Sequence, residues 1–163
     1  MGNPKMNIAL LNEVAAFIWQ EADMLDNELY QDWLNLWSED GLYVVPIDPK
    51  ATDFANTLNY AYDNAHMREL RVRRLTGGES ISTSPEPRTV RMVSRFRVAA
   101  QDATTVTVRC AQFLTDFRKE NTHQYTANLV YTLRRDGDSF QIVQKVVRLI
   151  NSDDVLQTIG YIL

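Results

Sequence analysis

The N-terminal part of the chain carries the hydrophobic pattern of a long helix. Apolar residues recur at alternating spacings of three and four, which places them on one face, and the acidic residues fall outside that face. The apolar positions are Ile8, Leu11, Ala15, Ile18, Ala22, Leu25 and Leu29. Residues 30–38 predict a second, shorter helix with Gly41 in its C-terminal cap, and residues 42–45 predict a strand that ends at Pro46.

The hydrophobic periodicity is absent in one segment in the middle of the chain and returns in the next. Between Pro46 and Tyr62 no clean period is present, which predicts a long loop. Residues 64–75 return to a helical pattern that is rich in arginine.

From Arg88 onward the hydrophobic period changes to two, which is typical of β-strands. Apolar residues of one parity alternate with polar ones and predict a single apolar face. They are Val90, Met92, Phe96, Val98 and Ala100. In the following segment the apolar parity shifts by Phe113, which predicts a β-bulge near residues 111–112.

Two further strands are predicted over residues 125–133 and 139–150, joined by a hairpin turn at Asp136-Gly137. A last apolar segment covers residues 155–163. Helices followed by long antiparallel strands with short connections are typical of an α+β fold, with the helices packed on one face of a curved sheet. A sheet that wraps around a helix forms a cone with a pocket.

Length and composition narrow the class of protein. The chain has 163 residues, 45% hydrophobic and 23% charged, which predicts one globular domain over residues 1–163. It has no apolar run long enough for a membrane span and no secretory signal, and its lone Cys110 cannot form an internal disulfide. These features predict a cytoplasmic protein that is not bound to a membrane.

Charge is distributed unevenly along the chain. Residues 1–67 contain 11 acidic and 2 basic residues, whereas residues 68–119 contain 11 basic and 5 acidic ones. This asymmetry indicates that acidic and basic surfaces meet, within one chain or between subunits. A sequence pI of about 5.2 argues against a nucleic-acid partner.

The chain offers few ligands for a metal. A Rieske cluster takes two cysteines and two histidines, so one cysteine excludes it. A mononuclear iron site would need His66 and His123 to converge with a carboxylate, although they lie on distant predicted elements. We therefore predict no metal and no cofactor in this chain.

Two groups of residues are candidates for function. The first group would line the mouth of the cone as an acid/base pocket, consisting of Asp26, Asp40, Tyr43, Tyr62 and His66. The alternative is a purely structural role, in which the carboxylates lie at helix ends or turns and the tyrosines belong to the core. The second group is the run of arginines between Arg68 and Arg97, which predicts either an assembly surface or a solvated face.

Several motifs, in order, resemble the small (β) subunits of bacterial aromatic-ring-hydroxylating dioxygenases, which belong to the NTF2-like (cystatin-like) superfold. These motifs are Glu21-Ala22-Asp23-Met24-Leu25-Asp26, Trp33-Leu34, Asp40-Gly41-Leu42-Tyr43-Val44-Val45-Pro46, Leu70-Arg71-Val72-Arg73-Arg74-Leu75-Thr76-Gly77, Pro87-Arg88-Thr89, Arg134-Arg135-Asp136-Gly137 and residues 145–151. The resemblance extends over nearly the whole chain.

The resemblance implies a noncatalytic, structural subunit. It implies a homotrimer of this chain inside a hexamer of three large and three small subunits, in which the large subunit carries the Rieske [2Fe-2S] cluster and the mononuclear iron. On this hypothesis the subunit contacts are Arg71, Arg73, Arg74, Arg88, Arg91, Trp33 and Trp37.

Two alternatives stay open from the sequence. The first is a stand-alone dehydratase, isomerase or cyclase of the same superfold that uses Asp40 or Asp26 with Tyr43 and His66. The second is a simple ligand-binding module. The aromatic substrate and the electron-transfer partners are not encoded in any motif of this chain.

Overall fold

A computed structural model describes residues 6–77, 87–150 and 160–163 of the chain. The helices are α1 (Ile8–Asp26), α2 (Tyr30–Leu34) and α3 (Ala65–Thr76). The strands are β1 (Trp37–Pro46), β2 (Asn59–Asp63), β3 (Arg88–Gln101), β4 (Thr105–Arg118), β5 (Asn121–Asp136) and β6 (Ser139–Leu149). One turn of 3-10 helix lies between β1 and β2, at Phe54–Asn56.

The six strands form one mixed sheet in the order β2-β1-β6-β5-β4-β3. β1 runs parallel to β6, and the other neighbouring pairs are antiparallel. α1 packs against β3 and β6 on the inner face of the sheet, where the core lies. The predicted α+β arrangement, helices on a curved and mainly antiparallel sheet, is confirmed. In the part of the chain that the structure describes, no helix is both long and apolar enough to cross a bilayer.

α1 forms where the spacing of apolar residues predicts it. Its N-cap is Asn7, whose side chain accepts a hydrogen bond from the backbone N–H of Leu10 at 3.1 Å. The buried face is shifted from the predicted stripe, since Ile8 is exposed and Val14 and Phe17 are buried. The shift turns Glu21 into the core as well, where the sequence pattern had placed it on the solvent side.

The predicted second helix is too long. α2 ends at Leu34, and the following residues join the sheet because Ile142 of β6 donates its backbone N–H to the carbonyl of Leu36 at 2.8 Å. Gly41 lies inside β1 and caps no helix. A Cβ atom at this position would come within 2.8 Å of the Trp37 ring and 2.9 Å of the Ile142 carbonyl, so close approach explains the glycine.

The segment predicted as a loop between Pro46 and Tyr62 contains most of a strand. β2 spans Asn59–Asp63 and pairs with β1 at the edge of the sheet, with Tyr43 opposite Asp63. Its five residues are too few and too polar on one side to give a clear period of two. The predicted arginine-rich helix is confirmed as α3, which Asn64 caps by accepting from the N–H of Met67 at 3.0 Å.

β3 changes face at a bulge. Ser94 lies opposite Ala111 and Arg97 lies opposite Arg109, so two residues of β3 stand against one residue of β4. Arg95 adopts a left-handed φ of 59° in this bulge. The bulge predicted in β4 near residues 111–112 is therefore wrong, and the irregularity lies in the neighbouring strand.

The bulge explains why the sequence pattern assigned the wrong face to part of β3. Val90 and Met92 precede it and point outward, with 62% and 67% of their surface exposed, whereas Phe96 follows it and packs on the core. In β4 the inward parity is unbroken, and Phe113 and Phe117 belong to the outer face. Apolar residues of one parity thus lie on opposite faces of the sheet.

The turn between β3 and β4 is fastened by one carboxylate. Asp102 accepts hydrogen bonds from the N–H groups of Thr104 and Thr105, both at 2.8 Å, and these bonds lower its pKa to about 2. Its contribution to stability is therefore present above the unfolded-state pKa, about 3.9, and is lost as pH falls through about 2. We expect the Asp102 carboxyl to titrate near pH 2 by carbon NMR. A midpoint near 3.9 would show that the turn does not hold these bonds in solution.

Some predictions fall outside the described residues. Residues 1–5, 78–86 and 151–159 lie outside them, so the single domain over residues 1–163 stays a prediction. Of the predicted apolar segment 155–163, the structure describes residues 160–163, which we call the strap.

Gly137 takes a φ of 60° in the hairpin between β5 and β6, as the predicted turn requires.

Candidate functional site

The interior of the cone contains a buried ion pair. Lys145 of β6 points inward and its Nζ lies 3.1 and 3.0 Å from the two carboxylate oxygens of Glu21 on α1. The side chains are 0% and 2% exposed, respectively. Burial of two charges is tolerated only when each is paired and hydrogen-bonded. Each of these two side chains therefore depends on the other.

The carboxylate of Glu21 has further donors around it. The hydroxyl of Tyr131 donates to Oε1 at 2.6 Å, and the indole N–H of Trp33 donates to Oε2 at 3.0 Å. Burial raises the pKa of Tyr131 well above its ordinary value, and the neighbouring Glu21 charge raises it further. Burial lowers the pKa of Lys145, and the charge of Glu21 opposes this effect. Both carboxylate oxygens are therefore committed to internal donors.

The strap lies over this ion pair. Lys145 Nζ donates to the backbone carbonyl of Leu163 at 2.9 Å, and the N–H of Leu163 donates to the hydroxyl oxygen of Tyr43 at 2.9 Å. The guanidinium of Arg91 donates to the carbonyl of Ile162. The hydroxyl of Tyr161 donates to Asp116 at 2.5 Å.

The structure does not bring together the five residues of the predicted acid/base pocket, and Tyr62 is exposed on the edge strand β2. Tyr43 is inside the cone, where burial raises its pKa to about 12. Asp26 ends α1 and binds Arg91 through its guanidinium at 2.5 Å and its backbone N–H at 2.8 Å. Asp40 and His66 are exposed, on β1 and in the first turn of α3. Hydrogen bonding by Arg134 is the main cause that lowers the pKa of Asp40 to about 2, which makes it a weak base.

The residues predicted at a subunit interface divide into two sets. Trp33, Trp37 and Arg91 form the first set: they are buried within this chain and pack on its own residues, so a contact with another subunit stays a prediction for them. The Arg91 position follows from its contact with Asp26, and the two indole rings pack edge to face at 5.5 Å. Arg71 is only partly exposed and pairs with the buried Asp63 at 2.6 Å.

Arg73, Arg74 and Arg88 remain at the surface. The first two are exposed in the last turn of α3, and Arg88 begins β3 with its guanidinium 5.3 Å from the centre of the Phe117 ring. α3 packs on β1 and β2, at the opposite end of the sheet from β3. These three arginines therefore belong to two separate surfaces.

An apolar surface lies beside Arg88. Four residues on the outer face of β3 and β4 are 40–67% exposed, and we call them the outer patch. They are Val90, Met92, Phe113 and Phe117. Met92 lies directly opposite Phe113, and Arg88 opposite Phe117, so the patch is continuous across the two strands.

A second polar feature lies at the hairpin between β4 and β5. His123 Nδ1 is 2.9 Å from Asp116, and the two line a shallow cleft of about 230 Å³ with Arg118 and Lys119. His66 is on α3, a separate element from His123. Among the described residues, no three histidine, cysteine or acidic side chains are grouped so that they could hold a metal ion.

Glu21 and Lys145 are the interior residues that the sequence pattern missed. Glu21 lies three residues after Ile18, a spacing that puts both on one helical face, and Lys145 interrupts an apolar strand. The sequence signal for a buried ion pair is one acidic and one basic residue, each among apolar residues on a face that is predicted to be buried. It predicts no pairing by itself, because α1 and β6 are more than a hundred residues apart.

Comparison with known proteins identifies the family. The family model described as the ring hydroxylating beta subunit matches residues 20–157. The chain therefore belongs to the β (small) subunits of the aromatic-ring-hydroxylating dioxygenases. The predicted resemblance and the NTF2-like fold are confirmed.

Individual relatives agree with this family. The small oxygenase component of the p-cumate 2,3-dioxygenase system of Pseudomonas putida is 32% identical over 136 residues, which cover 82% of this chain and 76% of that protein. The β subunit of benzoate 1,2-dioxygenase from Acinetobacter baylyi is 27% identical, with 86% of each chain covered. The crystal structure of the benzoate 1,2-dioxygenase β subunit of Burkholderia mallei superposes with a TM-score of 0.74 at 24% identity and covers 99% of this chain and 100% of that one.

Proposed function

We propose that this chain is a noncatalytic, structural small subunit that supports assembly of an iron-bearing large subunit. In this assembly the large subunit would hold the Rieske cluster and the mononuclear iron. Three copies of this chain would join three large subunits in a cytoplasmic hexamer. The family match carries the proposal, since it extends over residues 20–157.

The interior of the cone supports a structural role. Lys145 binds both oxygens of Glu21 and also donates to the backbone carbonyl of Leu163 in the strap. The Tyr43 hydroxyl accepts from the N–H of Leu163. A group that acts as a general acid or base has to exchange a proton with a ligand, and here the polar atoms face each other. The ion pair therefore connects α1, β6 and the strap.

The outer patch is the surface that we assign to a second copy of this chain. It is apolar, continuous over two strands and bordered by Arg88, whereas acidic residues such as Asp23, Asp32 and Glu39 are exposed in the N-terminal part. A ring needs a heterologous contact, in which different surfaces of the two copies meet. Contact between the basic apolar surface of one copy and the acidic surface of the next meets this requirement. It also disfavours contacts between two surfaces of the same charge.

Arg73 and Arg74 are the surface that we assign to the large subunit. They lie at the other end of the sheet from the outer patch, so one copy has both surfaces available at once. A guanidinium favours bidentate pairing with carboxylates at interfaces.

The test measures self-assembly and capture of the large subunit separately. We expect the chain to have a native mass of about 56 kDa by light scattering, three times its 18.8 kDa, and to co-purify with its cognate large subunit in a three-to-three ratio. Arg73→Glu combined with Arg74→Glu should weaken capture at least about tenfold, or ~1.4 kcal/mol, and leave the mass of the chain alone unchanged.

Lys50→Glu is the control, since it makes the same kind of charge reversal, at one site, at an exposed residue outside both surfaces. Equal capture by the double variant and this control would remove the two arginines from the proposal. A chain that purifies with no large subunit under any condition would overturn the structural role itself.

A further inference from the structure

The strap is bound by residues from four different strands. Asp116 of β4 accepts from Tyr161, Arg91 of β3 donates to the carbonyl of Ile162, and Tyr43 of β1 and Lys145 of β6 bind the two backbone polar groups of Leu163. In sequence, the nearest of these residues lies 18 positions away. The strap is therefore held by tertiary contacts alone.

The contacts are those of a ligand in a pocket. Three of the four bonds join a side chain of the cone to a backbone atom of the strap. Across the described ranges, no backbone-to-backbone hydrogen bond connects the strap to a strand. The hydrogen-bonded ladder of the sheet thus does not depend on the strap.

The apolar part of the strap completes the core. Ile162 and Leu163 are 1% and 4% exposed and belong to the main hydrophobic cluster, whereas Gly160 is exposed. Burial of two aliphatic side chains supplies the hydrophobic contribution, and the three backbone contacts fix the direction in which the segment enters.

We propose that the cone is a peptide-binding site and that the strap occupies it as an internal ligand. The site takes a segment with a phenol followed by two aliphatic residues. Asp116 recognises the phenol, and Arg91, Tyr43 and Lys145 recognise the backbone. With the strap in place the Glu21–Lys145 pair is closed to water, and release of the strap opens a pocket above it.

The test uses the full chain with one substitution. Ile162→Asp places an unpaired carboxylate at a buried position, which expels the strap because the charge cannot be desolvated without a partner. The synthetic peptide Gly-Tyr-Ile-Leu should then bind the variant in a saturable way by calorimetry. Binding to the wild-type chain should be at least about tenfold weaker, since the strap competes for the site.

Two controls define the site. Gly160→Asp adds the same charge to the same segment, but a side chain at this position meets no atom within 4 Å, so the strap stays bound and the peptide is excluded as in the wild type. The peptide Gly-Tyr-Asp-Leu should bind the Ile162→Asp chain at least about tenfold less well. Equal binding to all three chains, or no binding to a folded Ile162→Asp chain, would overturn the proposal.

A second measurement can still overturn the proposal if Ile162→Asp does not fold. Hydrogen exchange of the Leu163 amide in the wild-type chain should be at least about tenfold slower than in the free peptide, because this N–H is bound to Tyr43. Tyr161→Phe should speed this exchange and leave the amide of Val108 in β4 unchanged. If the Leu163 amide exchanges as fast as in the peptide, the strap does not occupy the cone. Neither readout depends on assembly with the large subunit.

Discussion

Replacing Lys145 by methionine is expected to lower the free energy of unfolding by about 3–5 kcal/mol, because it leaves the buried Glu21 carboxylate without its cation. Both side chains are at most 2% exposed, so water cannot replace the lost partner. Methionine has a similar length and no charge, which separates the loss of the ion pair from the loss of packing. In a domain of this size the effect corresponds to a fall in Tm of roughly 6–20 °C.

Urea unfolding of three variants tests the assignment. Arg134→Met is the control, since it breaks the exposed pair between Arg134 and Asp40 and should lower the free energy of unfolding much less. Glu21→Gln in the Lys145→Met background removes the stranded charge. It keeps one oxygen for the indole N–H of Trp33, and its amide NH2 can donate to the hydroxyl of Tyr131. We expect the second substitution to recover at least about 1 kcal/mol. Equal costs for Lys145→Met and Arg134→Met would mean that the ion pair is not buried in solution.

The long periodic segments of the chain were predictable because each satisfies its own local rule. α1, α3 and the strands from β3 to β6 arise where the period of apolar residues is 3.6 or two, and the Asp136-Gly137 turn occurs where its residues indicate it. α2 and β1 were harder, since a bond from β6 to Leu36 draws residues with helical spacing into the sheet. This bond joins segments about a hundred residues apart and leaves no local signature.

The site was less predictable than the fold for a related reason. Residue type indicated that Asp26, Asp40, Tyr43 and His66 could do acid/base chemistry, but whether they meet depends on how distant elements pack. Asp26 and Arg91 had been assigned to different functions and form one ion pair. Glu21 and Lys145 are buried although charged side chains are expected at the surface.

The bulge in β3 has a consequence for assembly. By reversing the faces of the strand after Ser94, it leaves Val90 and Met92 outside, next to Phe113 of β4. A bulge that bends a strand and re-aims its side chains is a common feature where a sheet meets a ligand or partner. An apolar surface across two strands that was unpartnered in the assembly would also be an aggregation hazard. Both points favour a subunit contact here.

Met92→Glu combined with Phe113→Glu is therefore expected to abolish the proposed trimer. The two side chains lie opposite each other in the outer patch, 67% and 52% exposed, so the charges are solvated in the monomer. Their mutual repulsion and the lost packing should lower its stability by only about 1 kcal/mol. In the assembled ring the same carboxylates would be buried without partners, at a cost of several kcal/mol. Light scattering should show a mass near 18.8 kDa in place of about 56 kDa.

Leu58→Glu is the matched control for this variant, since Leu58 is 79% exposed in the segment between β1 and β2, away from the outer patch. It replaces one exposed apolar side chain by a carboxylate and should leave the proposed trimer intact. The measurement is repeated on the complex purified with the large subunit. If the ring closes only in the hexamer, the fall in mass caused by the double variant will be seen only in that preparation. A double variant that keeps the mass of the wild type in both preparations would show that copies of this chain meet through another surface, and the exposed apolar residues of β3 and β4 would then need a different partner.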